Sequence, residues 1–76
     1  MRLYVIYDTV AEEAGPLFQA KNDEVAIRQV KNMLSQEKLV RPSDYKLYHL
    51  GSFDQNTMTL TSYDPENVPF EVEKDE

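Results

Sequence analysis

Directly after Met1-Arg2 the chain runs through five consecutive apolar residues, Leu3-Tyr4-Val5-Ile6-Tyr7. The run is rich in β-branched and aromatic side chains, which suit a pleated surface, and the spacing predicts a strand. Successive side chains of a strand point to opposite faces, so Leu3, Val5 and Tyr7 share one face and Tyr4 and Ile6 the other. Both faces are apolar. Such a strand belongs in the middle of a sheet, with its second face either covered by the rest of the chain or left for another subunit. The rest of the chain is short. Its 76 residues make a single domain, 1–76, and a chain of this size buries only about 60% of its unfolded surface. It has no cysteine, so neither a disulfide framework nor a thiolate metal site can supplement the core. Association with a second copy would supply what the core lacks, and the absence of cysteine fits an intracellular compartment.

A second short strand is expected at Leu17-Phe18-Gln19-Ala20, after a loop over Thr9 to Gly15 and the turn signal Gly15-Pro16. It would pair antiparallel with the first. Asn22 is a suitable N-cap, and Asp23 and Glu24 place negative charge at the positive end of a helix dipole. The helix should continue to about Gln36. Ala26, Ile27, Val30, Met33 and Leu34 form its apolar stripe, while Glu24, Arg28, Lys31 and Ser35 lie opposite, with Glu24 and Arg28 spaced to pair. Lys38 to Asp44 reads as a connection, because Pro42 disfavours helix at Arg41.

A third strand, Tyr45 to Leu50, has Leu47 on one face and Tyr48 and Leu50 on the other. Gly51 marks a bulge or a close backbone approach, and Phe53 is an anchor beyond it. Asp54-Gln55-Asn56 supplies a turn into a fourth strand, Thr57 to Thr61, with Met58 and Leu60 expected inward. Tyr63-Asp64-Pro65 should end it. Val68, Phe70 and Val72 could add an edge strand before a loose acidic tail from about residue 73. The order β-β-α-β-β gives an α+β, two-layer domain, one helix packed on a mainly antiparallel four-stranded sheet.

Little here supports catalysis or a cofactor. His49 is the only histidine and reads as structural, Glu12-Glu13 reads as a solvated loop pair, and no phosphate-binding glycine loop or nucleophile elbow occurs. No enzyme activity, metal or cofactor is therefore expected. No apolar run approaches the roughly 20 residues needed to cross a bilayer, so no membrane partner is expected.

Charge is unevenly distributed. Residues 1–20 carry a net charge of −2, residues 21–46 of +2 and residues 47–76 of −6, within a total of −6. The basic residues Lys21, Arg28, Lys31, Lys38, Arg41 and Lys46 are the candidate contacts for nucleic-acid phosphates, with exposed tyrosines as stacking platforms for single-stranded DNA. A solvated surface accounts for the same charges. Tyr4, Ile6, Tyr48 and Leu50 are the candidate interface, an apolar second sheet face that meets another copy or a partner protein.

Several segments resemble a known family. They are Leu3-Tyr4-Val5-Ile6-Tyr7-Asp8, then Glu12 to Phe18 with Ala20-Lys21-Asn22-Asp23, Ala26-Ile27-Arg28 and Asp44 to Asp54. The most specific block is Tyr45-x-Leu47-Tyr48-x-x-Gly51-Ser52-Phe53-Asp54. Together they are similar to the small nonstructural protein of the gokushovirus branch of the Microviridae, bacteriophages with single-stranded DNA genomes. The resemblance covers roughly residues 2–61. It implies an accessory factor, described in that family as a DNA-binding or single-stranded DNA synthesis protein, acting in the host cytoplasm in genome replication or its switch to packaging. The implied partners are a viral or host replication protein and single-stranded DNA. A homo-oligomeric adaptor that binds a replication protein without touching DNA is the alternative. The acidic charge argues against a protein that condenses packaged DNA.

Overall fold

In the computed structural model, which describes residues 1–36 and 41–70, the opening apolar run lies at the centre of the sheet. The elements are β1 (Arg2–Asp8), β2 (Glu13–Ala14), β3 (Phe18–Ala20), α1 (Asp23–Ser35), a 3-10 turn (Pro42–Asp44), β4 (Tyr45–Asp54) and β5 (Thr59–Val68). All pairings are antiparallel. β4 lies along one side of β1 from Asp8↔Tyr45 to Arg2↔Ser52, and β5 pairs with β4 from Leu47↔Val68 to Asp54↔Thr59. On the other side β2 pairs with the end of β1 and β3 with its start, from Tyr7↔Ala14 to Arg2↔Ala20. The fold is a small α+β domain, one helix on a mostly antiparallel sheet.

β2 was expected to be loop. The strand opposite β1 is divided in two at Gly15-Pro16-Leu17, because Pro16 has no N–H to offer the ladder, while the Gly15 N–H still reaches the Ile6 carbonyl at 2.8 Å. Asp8 closes the turn after β1 by accepting from the Val10 and Ala11 N–H groups. Thr9 then donates from both its backbone N–H and its hydroxyl to the Asp44 carbonyl, which ties this turn to the start of β4.

The helix begins as expected. Asn22 is extended and its side chain accepts from the Val25 N–H at 2.9 Å, with Asp23 and Glu24 in the first turn. Ala26, Val30 and Leu34 are buried against Tyr4, Ala20, Leu47 and Val68, and Ile6, Phe18, Ile27 and Tyr45 pack around them. Met33 departs from the expected stripe. It is exposed enough to line an apolar groove with Leu17 and Phe18, instead of entering the core. Glu24 and Arg28, spaced to pair, form no ion pair; among the described residues Arg2 pairs with Asp23, and His49 Nδ1 lies 3.9 Å from a Glu66 carboxylate oxygen.

A polar cluster joins the first turn of the helix to β1. The Tyr4 hydroxyl donates to Asp23 Oδ1 at 2.5 Å, and Arg2 Nη1 donates to the same oxygen at 3.1 Å. Tyr4 is wholly buried by relative exposure, 0%, and its ring lies against Phe18 and His49. Burial first, and then the Asp23 carboxylate that its hydroxyl bonds, push the ionisation of Tyr4 above the ordinary tyrosine range, with Arg2 opposing.

The ladder is irregular at one level of the sheet. Leu50 is skipped in the pairing of β4 with both neighbours, and Tyr63-Asp64-Pro65 are skipped in β5. The expected break at Tyr63-Asp64-Pro65 is instead a bulge within a ten-residue strand, and Pro65 is accommodated because β5 is an edge. Gly51 sits beside it. A Cβ there would fall 2.0 Å from the Thr61 carbonyl oxygen, so the two strands approach this closely only because residue 51 has no side chain. His49 fills the gap above the bulge. Its ring lies between Tyr4 and Tyr63, at 5.2 and 5.5 Å, with Nε2 3.0 Å from the Gly51 carbonyl.

Beyond the bulge the expected inward residues are not inward. Met58 and Leu60 are 79% and 66% exposed, because Met58 lies in the turn before β5 and Leu60, paired with Phe53, lies on the face of the sheet away from the helix. The edge strand expected around Val68 and Phe70 is the end of β5 up to Val68. Val72, Lys38 and the tail from about residue 73 lie outside the described residues.

Gly51→Ala should cost at least about 2 kcal/mol in a urea unfolding titration, as overpacking against backbone does. A loss under about 0.5 kcal/mol would contradict the close approach. Tyr4 stays protonated in the fold at a pH where the unfolded chain has lost that proton. Stability should therefore fall as pH rises above about 10. Tyr4→Phe should be less stable by about 1 kcal/mol at pH 7, from the lost hydrogen bond, and show a flatter alkaline decline by circular dichroism.

Candidate functional site

The cross-strand register sorts the candidate residues by face. Ile6 pairs with Leu47 and Tyr4 with His49, so these four side chains lie on the helix side of the sheet. Val5 pairs with Tyr48 and Tyr7 with Lys46 on the reverse side, which no element among the described residues covers. The expected interface of Tyr4, Ile6, Tyr48 and Leu50 is therefore divided. Tyr4 and Ile6 belong to the core beneath α1, Tyr48 belongs to the uncovered face, and Leu50 sits half-buried at the bulge. The cause is register. The sequence shows which residues of one strand share a face, but not which face of β1 meets which face of β4.

The uncovered face is apolar at its centre. Leu3, Val5, Tyr7, Tyr48 and Phe53 occupy it, with Val5 buried and the other four half-buried. Tyr7 and Tyr48 meet edge to face, their ring centroids 6.3 Å apart and their planes at 83°. Phe53 pairs with Leu60 farther along, and Lys46, Asn67 and Gln19 form a polar margin. Leu3, Val5, Tyr7 and Phe53 are the members of this face that the sequence-based interface omitted. The alternation of Leu3, Val5 and Tyr7 was the available signal for the first three.

The basic residues do not form one stripe. Lys21 precedes the helix, and Arg28 and Lys31 lie on its exposed side. Arg41 is exposed before the 3-10 turn, Lys46 lies on the reverse face of the sheet, and Lys38 is outside the described residues. Of the described basic residues, Lys46 shares a face with aromatic side chains of the uncovered surface.

On the helix side a groove of about 470 Å³ opens between α1 and the Glu13–Phe18 segment, floored by Ile6 and Val30 and edged by Leu17 and Met33. No cluster of three or more metal-ligating side chains occurs among the described residues. No described helix is long and apolar enough to cross a membrane. The geometry offers contact surfaces, among them the tyrosine-bearing sheet face.

A family model described as Phage ORF5 protein matches residues 1–72, which include every element of the sheet and the helix. No curated protein and no solved structure matches the chain. The match spans nearly the whole sequence, and the chain belongs to the Phage ORF5 protein family.

Proposed function

We propose that this chain is a nonstructural accessory protein of a single-stranded DNA phage, acting in the host cytoplasm in genome replication or its switch to packaging. It works by protein contact. The observation that carries this reading is the apolar sheet face around Val5, Tyr7 and Tyr48, which the single helix leaves uncovered. An aromatic centre with a polar margin is the composition of a protein-binding patch, and tyrosines are strong anchors in such patches. Family membership supplies the phage setting, and the resemblance to the gokushovirus protein supplies replication. The partner is a viral or host replication protein.

Tyr48→Glu places a charge at the centre of this face without entering the core beneath the helix. The variant should keep the parent's far-UV circular dichroism and lower the ratio of single-stranded to duplex phage DNA several-fold in infected cells. A folded Tyr48→Glu protein that leaves the ratio unchanged would overturn the assignment of this face.

One observation favours direct DNA contact as a second mode. Lys46 lies beside Tyr7 on the face that also carries Tyr48, so a phosphate contact and two ring platforms sit together. In this mode a labelled single-stranded oligonucleotide gains fluorescence anisotropy at low salt, and loses it steeply as salt rises. Lys46→Glu should abolish the signal and Lys31→Glu should not. No signal at low salt removes this mode and leaves protein contact.

A further inference from the structure

We infer that two copies of this protein join their sheets through the outer edge of β5, antiparallel about a two-fold axis at Thr61. This rests on main-chain register and is independent of the face assigned to the replication partner. Met1 and Phe53 exchange hydrogen bonds in both directions, at 2.8 and 3.0 Å, so the backbone groups of Phe53 point toward β1. Those of its neighbours Ser52 and Asp54 then point toward β5, and the Asp54 carbonyl does accept from the Met58 N–H at 2.8 Å. Phe53↔Leu60 is therefore a non-hydrogen-bonded pair. The N–H and C=O groups of Leu60, and of Ser62 two residues on, point away from the sheet along an edge with no strand beside it among the described residues.

A second copy satisfies these groups in a self-complementary way. With Thr61 on the axis, Leu60 of each chain faces Ser62 of the other. Both are outward-pointing residues, so each pair closes two main-chain hydrogen bonds. The two Thr61 side chains meet across the axis as a close, non-hydrogen-bonded pair. Charge permits the same register. Residues 57–63 carry no charge, and Asp64 of one chain stands opposite Met58 of the other, so no acid faces an acid. Leu60, exposed in the single chain, lies diagonally across from its own copy and extends the apolar strip that begins at Phe53.

The usual devices that blunt a sheet edge are confined to the other half of β5. Asp64, the bulge and Pro65, which has no N–H, stop the pairing beyond Tyr63. The edge from Thr59 to Ser62 has none of them. The paired segment is short, which suits a weak, concentration-dependent dimer instead of an obligate one. Because each chain carries a charge of −6, added salt should strengthen the association by screening, the reverse of its effect on DNA binding.

The absence of native cysteine makes the test direct. Thr61→Cys should form a disulfide-linked dimer under a mild thiol oxidant at high protein concentration, because Cβ atoms in such a pair lie within bridging range. Lys31→Cys, on the exposed side of the helix, should stay largely monomeric under the same conditions. In sedimentation equilibrium the unmodified protein should show a monomer–dimer equilibrium that shifts toward dimer with salt. Ser62→Pro, which deletes an outward N–H and spares the bonds to β4, should shift it back to monomer with circular dichroism unchanged. Cross-linking of Thr61→Cys no faster than Lys31→Cys, or a strict monomer at millimolar concentration, would overturn the inference.

Discussion

A helix of 13 residues is about 20 Å long, while a ten-residue strand is about 33 Å long. The described helix therefore cannot cover even one face of the β4–β5 hairpin. It covers the half where Tyr4, Leu47 and Val68 lie, and there these side chains are buried beneath Ala26, Val30 and Leu34. Beyond the level of Gly51 no described element lies above the hairpin, and its residues from Thr59 to Ser62 are exposed throughout. The reverse face has no layer among the described residues. The distribution of buried and exposed apolar residues follows from that shortfall, and so do the surfaces available to partners.

Two side-chain arrangements hold the covered half together at its margins. At one end the Tyr4 hydroxyl and Arg2 share an oxygen of Asp23, which fixes the first helical turn over the start of β1 with the buried hydroxyl satisfied. At the bulge, His49 occupies the space that an irregular ladder would leave open, between two tyrosine rings and against the Gly51 carbonyl. The uncovered half depends on backbone geometry. Gly51 lets β5 approach closely, and Asp54 accepts from the N–H groups of Asn56 and Thr57 to close the turn.

Much of this was legible from local pattern. The helix and its Asn22 cap, the central place of β1 and the irregularity at Gly51 depend on residues near one another in sequence, where period and capping chemistry are informative. What was not legible depends on relations between distant segments. Tyr4 and Tyr48 each sit on an alternating strand, but whether they share a face is decided by the register of β1 on β4, which neither pattern contains. Leu60 and Met58 alternate with threonines as a half-buried strand would, yet Met58 falls in the turn and the register with Phe53 puts Leu60 on the face away from the helix. Pro65 looked like the end of a strand because the bulge that tolerates it is a property of the paired hairpin. The basic residues were grouped by their nearness in sequence, and the chain then carried Lys46 to the reverse side of the sheet from Arg28.

Two residues that are not glycine, Glu12 and Met58, have left-handed backbones, with φ of 57° and 60°. Both lie in exposed turns where glycine or asparagine would be at ease. The chain has only two glycines, and the one at Gly51 is needed for strand approach. The turn into β5 is thus conformationally uphill at Met58, just before the uncovered half of the hairpin. Amide exchange should be fastest there, so that the tip opens and recloses while the helix-covered half stays intact. In energetic terms the protein is a stable half joined to a pliant one, and the pliant half presents the free strand edge.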